Sequence, residues 1–200
     1  MNNLEIENKL NNIYDQIIND QANLKYTDLG WKPLYSVSPK TKILVVGQAP
    51  GLKAQLSNLT WNDKSGERLR KWLGVTFEQF YDANLFGMLP MDFYYPGKSK
   101  SGDLPPRKDF AKKWHPLILE SLSEVKLIIL VGQYAQKFYL KNNFEKNLTQ
   151  TVLNYQKYLP TFFPLVHPSP LNIRWFIKNP WFENEVIKDL KTIVAKILNF

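Results

Sequence analysis

Three short apolar runs constrain the fold of this chain most. Ile43-Leu44-Val45-Val46 stops at Gly47, Lys126-Leu127-Ile128-Ile129-Leu130-Val131 stops at Gly132, and the run from Thr161 to Val166 stops at His167. Their apolar residues are consecutive, so each predicts a strand buried on both faces, as in a parallel sheet covered on each side by helices. Asn84-Leu85-Phe86-Gly87-Met88 reads as a further strand. Apolar periodicity predicts helices over 3–23, 65–73 with Ser65 near the cap, 77–81, 108–122, 134–140 and 181–198. Residues 31–40 read as a connector, and 90–107 as a long loop rich in Pro, Gly and Tyr. Strands alternating with helices, without an internal repeat, predict one α/β domain over residues 1–200, with an N-terminal helix (1–25) packed on it. The expected architecture is a three-layer α/β/α sandwich around a mainly parallel four-stranded sheet. Its ligand cleft should lie at the carboxyl ends of the strands, where Gly47, Asn84 and His167 begin their segments.

Residue inventory narrows the chemistry. The chain has no cysteine and two histidines, His115 and His167, far apart in sequence. Disulfides and cysteine-ligated zinc or iron–sulfur centres are therefore excluded, and no metal or other cofactor is expected. Catalysis would have to run on carboxylates, amides, hydroxyls, a histidine or backbone dipoles. The net charge of +8, from 26 basic and 18 acidic residues, favours a polyanionic partner, nucleic acid first; a solvated lysine coat gives the same balance. Aromatics make up 14% of the residues, and some of the six tryptophans can stack on bases. The chain shows no apolar run of roughly 18–20 residues, the length of a membrane span. Its start, Met1-Asn2-Asn3-Leu4-Glu5, has no signal-like core, so a cytoplasmic, monomeric protein without a membrane partner is expected.

Three segments are equipped for chemistry. In Gly47-Gln48-Ala49-Pro50-Gly51, two glycines permit close backbone approach, a proline stiffens the turn, and the amides can cradle an anion or a carbonyl oxygen. It is neither a phosphate loop nor a dinucleotide fingerprint. In Trp61-Asn62-Asp63-Lys64-Ser65-Gly66, a tryptophan precedes a helix start whose amides can meet a phosphate. His167-Pro168-Ser169-Pro170-Leu171-Asn172 puts a titratable ring on a stiff turn after a strand. Each segment, taken singly, also suits a purely structural role.

Together, Gly47–Gly51 and His167–Asn172 resemble the first and last motifs of the uracil-DNA glycosylase superfamily, over about residues 41–185. The likeness is to the small bacterial members without a metal cluster, and the last motif is similar to that of the single-strand-selective branch. The resemblance implies base excision: a nucleotide leaves the stack, and its N-glycosidic bond is hydrolysed. It also implies roles. His167 would stabilise charge on the uracil O2, helped by backbone amides near Gln48 and Ala49 in the Gly47 turn. Trp61 would stack on the base, and Asn84 would read its O4 and N3 edge. Leu171 would wedge into the duplex. Pro50, Gly51, Ser65, Gly66, Ser169, Pro170 and Asn172 would lie along the DNA backbone.

One departure stands out. Several branches carry Asp, Glu or Asn in the first motif to orient or activate water, and here those positions are Gln48 and Ala49. Either stabilisation of the leaving base suffices, or a carboxylate enters from the long loop, with Asp92 and Asp103 as candidates. Lys98 to Lys113 carries Lys98, Lys100, Arg107, Lys108, Lys112 and Lys113 against Asp103 and Asp109, and is expected beside the cleft on phosphates. A catalytically weak module that binds uracil or abasic DNA is the alternative reading. A small-molecule hydrolase has no nucleophile motif to support it.

Overall fold

The computed structural model describes residues 2–100 and 102–199. The central sheet comprises β1 (Ile43–Val46), β2 (Phe86–Met88), β5 (Leu127–Val131) and β6 (Phe162–Leu165). Its order is β2-β1-β5-β6, and every neighbouring pair is parallel. Ser36 adds one antiparallel bridge to Met88 at the outer edge of β2.

Alternate residues of each strand enter opposite cores, which is why the apolar runs are continuous. Ile43 and Val45 join Leu127, Ile129, Val131, Phe163 and Leu165 on one face. Leu44, Val46 and Leu130 lie on the other. The first face is covered by α4 (Lys64–Leu73), α5 (Phe77–Tyr81), α8 (Leu148–Leu153) and the C-terminal helix. That helix opens with π-helical Phe182–Ile187 and continues as α10 (Lys188–Leu198). The second face is covered by α1 (Asn3–Asn19), α2 (Leu24–Thr27), α6 (Phe110–Leu119) and α7 (Gln133–Leu140). Burial of Leu10, Ile13 and Ile17 on one side of α1 follows the expected helical spacing. The three-layer sandwich is thus present.

Among the described residues the structure adds four short helices, α2, α3 (Leu52–Ser57), α8 and α9 (Ile173–Lys178), of four to six residues and too short to leave a period in the sequence. The cap of α4 is Asp63, whose Oδ1 accepts from the Gly66 amide at 2.9 Å, and Ser65 lies inside the first turn. Strand β2 begins at Phe86, two residues after Asn84. The long loop is not featureless: it carries a hairpin, β3 (Lys98–Ser99) with β4 (Gly102–Asp103).

Both ends of that loop are locked to the core by one ion pair. Asp92 is fully buried, and the Arg107 guanidinium grips it twice, Nε to Oδ2 at 2.7 Å and Nη2 to Oδ1 at 2.8 Å. Arg107 also donates to the Ala22 carbonyl at 3.0 Å and to Asn23 Oδ1 at 2.7 Å. Its guanidinium lies 4.4 Å from the Phe110 ring centroid. This planar, two-pronged recognition is what Arg supplies and Lys cannot.

Candidate active site

At the carboxyl edge of the sheet a cavity of about 360 Å³ is bounded by the Gly47–Gly51 turn, Trp61–Asp63, Ser65, Pro90, the β3–β4 hairpin, His167, Ser169 and Leu171. Its position follows from topology: β1 and β6 both end here, and the exit of β2 passes beside them. The ladder between β1 and the β2 exit continues past the strands. The Leu89 amide donates to the Val45 carbonyl at 2.9 Å and the Met91 amide to the Gly47 carbonyl at 2.9 Å. This fixes the Gly47 turn against Pro90.

Trp61 is the most constrained wall. Its φ is +57°, a left-handed backbone that a bulky residue rarely adopts. Two glycines make this possible. A Cβ on Gly66 would stand 1.6 Å from the Trp61 carbonyl oxygen, and one on Gly47 would stand 2.8 Å from the indole Cζ2. The indole centroid lies 5.6 Å from that of His167, with the planes tilted by 33°.

The His167 turn is pinned from several sides. Arg68 Nη1 donates to the Pro168 and Ser169 carbonyls, each at 3.3 Å. Asn172 Nδ2 donates to the His167 carbonyl at 2.8 Å, and Ser169 Oγ accepts from the Leu171 amide at 3.2 Å. Beneath, Gln136 Nε2 donates to the Leu165 carbonyl at 2.9 Å. Burial pushes the imidazole pKa below its usual 6.5, opposed by the nearby Asp63 carboxylate. The ring is therefore a neutral one at pH 7, a donor at one nitrogen. Among the described residues no group hydrogen-bonds the ring, and His167 lines the cavity. Leu171 projects from the rim with 91% of its surface exposed.

The structure brings together Gly47, Gln48, Ala49, Pro50, Gly51, Trp61, Ser65, His167, Ser169 and Leu171 around the cavity. Other residues singled out from the sequence lie elsewhere. Asn84 is exposed at the amino end of β2, where Ser38 Oγ donates to its Oδ1 at 2.6 Å; it does not line the cavity, because the strand runs away from it. Gly66 is buried with its amide given to Asp63, and it does not line the cavity. Asn172 and Pro170 do not border this cavity. Asn172 holds the turn and faces a second, smaller cavity behind His167. Asp92 is closed off from the site by Arg107, whereas Asp103 does line the cavity. The basic loop is also partly spent: Arg107 pairs with Asp92 and Lys113 with Asp20. Asn62, Asp63 and Pro90 line the site without having been singled out from sequence. Asn62 and Asp63 lie inside the Trp61–Gly66 segment, and that segment was the only signal for them.

The solution NMR structure of a protein from Methanosarcina acetivorans described as a "putative Uracil DNA glycosylase" is similar over 80% of this chain and 94% of that one, with 16% identity and a TM-score of 0.46. The model of the Uracil DNA glycosylase superfamily matches residues 34–191, a span that runs from the connector before β1 into α10 and takes in every wall of the cavity. On that match, the chain belongs to the Uracil DNA glycosylase superfamily.

Proposed function

We propose that this protein is a DNA N-glycosidase that removes uracil, or a closely related base, from a nucleotide turned out of the stack into the cavity. The observation that carries the reading is the convergence of Trp61, the Gly47–Gly51 turn and a neutral His167 on one cavity at the sheet edge. Breaking the glycosidic bond leaves negative charge on the base, and fixed donors aimed at that charge lower the barrier. His167 supplies one, and the amides of Gln48 and Ala49 supply others. Trp61 stacks on the base. Asn62 and Gln48 carry the amides that border the cavity, so choice among pyrimidine edges falls to them rather than to Asn84. Leu171 fills the gap left in the duplex, and Ser65 and Ser169 lie along the phosphates. The action is that of a monomer without cofactor in the soluble phase of the cell.

Free-base release from uracil-containing single- and double-stranded oligonucleotides tests this, alongside His167→Ala. The expected result is release by the wild type and a loss of about 10²-fold or more in the variant, the scale of removing one such donor. Uracil- or abasic-DNA binding without any release would instead support the binding-module reading, which the lack of a carboxylate at Gln48 and Ala49 favours.

A further inference from the structure

We infer that Asp103, carried on the β3–β4 hairpin, is the carboxylate that activates the attacking water. The inference rests on the glycosidase reading and assigns the group that the Gly47–Gly51 turn lacks.

Cavity geometry selects Asp103 by contact and by elimination. Among the described residues, the carboxylates that line the cavity are Asp63 and Asp103. Asp63 is committed as the cap of α4, where its Oδ1 accepts from the Gly66 amide. Asp92, at the root of the same loop, is fully buried and doubly gripped by Arg107. Asp103 is exposed, and its Oδ2 lies 3.7 Å from where a Cβ on Gly51 would stand. Its other oxygen lies 3.4 Å from the Tyr95 hydroxyl, at the outer limit of a hydrogen bond. The next residue keeps the hairpin on the turn: Gln48 Nε2 points to the Leu104 carbonyl at 3.5 Å, and the Leu104 amide donates to the Gly97 carbonyl at 2.9 Å. The hairpin thus brings a carboxylate to the Gly47–Gly51 turn, which has none of its own. The Asp92–Arg107 lock fixes both ends of the segment that presents it.

In the proposed step the Asp103 carboxylate takes a proton from a water in the cavity. The water oxygen bonds to the anomeric carbon as the bond from that carbon to the base nitrogen breaks. The electron pair of the broken bond leaves with the base, whose charge His167 and the turn amides stabilise. The proton on Asp103 then passes to the departing base or to solvent, and the products are a free base and an abasic sugar.

Single-turnover base release by wild type, Asp103→Asn and Asp103→Ala, measured with the dissociation constant for the same oligonucleotide, tests this. Expected is a fall of about 10²-fold or more in the rate for both variants, the range of general base catalysis, with binding unchanged within about threefold. Added formate, a small carboxylate, should restore part of the rate lost in Asp103→Ala. Asp103→Asn within about threefold of wild type would overturn the assignment, as would a rate loss matched by an equal loss of affinity, which would make the hairpin a binding element. If the wild type releases no base at all, the glycosidase reading fails and this inference fails with it. Release by wild type and Asp103→Asn alike sinks only the role of Asp103.

Discussion

His115 should make the stability of this protein fall steeply in mild acid, by an amount the structure lets us work out. The ring is fully buried and stacked on Phe93 at 5.8 Å, tilted by 11°. Its Nε2 lies 3.0 Å from the Pro90 carbonyl, which can only accept, so Nε2 carries the proton. Its Nδ1, 2.7 Å from the Tyr139 hydroxyl, must then accept from it. A second proton on Nδ1 would break that bond and bury a charge, and the pKa is pushed down from 6.5 to about 4. The unfolded chain therefore binds the proton first as pH falls. A depressed histidine pKa means that stability is whole above the unfolded value and is lost between there and the folded one. At about 1.36 kcal/mol per unit, the full loss is about 3 kcal/mol, and most of it has gone by pH 4.5. Urea unfolding of wild type and His115→Gln at pH 7.5 and pH 4.5 measures it. Gln keeps a donor near Pro90 but does not titrate, and His167 and the carboxylates cancel because both proteins contain them. Wild type should lose about 2–3 kcal/mol more than the variant over this range. Parallel losses in the two proteins would refute the reasoning.

Three further outcomes are expected. Arg107→Ala leaves Asp92 buried without its partner and should destabilise the fold by about 3–5 kcal/mol, read as a lowered midpoint in thermal or urea unfolding. Gly66→Ala forces a methyl into the Trp61 carbonyl, so it should cost about 1–3 kcal/mol and shift the tryptophan emission, with base release falling together with it. Leu171→Ala removes a side chain that is 91% exposed, so stability should stay within about 0.5 kcal/mol. Its base release from duplex should drop more than from single strands, and equal effects on both would show that Leu171 does not enter the duplex.

The sheet was legible because its strands are buried on both sides: Ile43–Val46 appears with the expected bounds, and the runs ending at Val131 and Val166 are each within a residue or two. The same logic located His167 and Gln48, since a strand that ends places its next residues at the sheet edge, whereas Trp61 was marked by the helix start that follows it. Asn84 shows where it failed. A polar residue before Phe86-Gly87-Met88 reads as part of the strand, yet only the direction of the chain through the sheet decides which edge it meets. Asp92 and Asp103 were equivalent in the sequence, as two acids in one loop. Arg107, fifteen residues from Asp92 along the chain, separates them, and such a pairing leaves no periodic trace. The hairpin was hidden for a similar reason, since two-residue strands are too short to alternate.

The tight seat of Trp61 has a consequence for binding. With Gly47 against the indole and Gly66 against the Trp61 carbonyl and Cβ, the ring has already given up rotamer freedom when the chain folds. A base that stacks on it is spared that loss, about 0.5–1.5 kcal/mol for each side chain immobilised on association. The stacking platform is therefore preorganised. On the proposed function, discrimination then becomes a matter of which bases the rigid slot excludes, and the slow event on the way to the complex shifts from the protein to the nucleotide that must leave its stack.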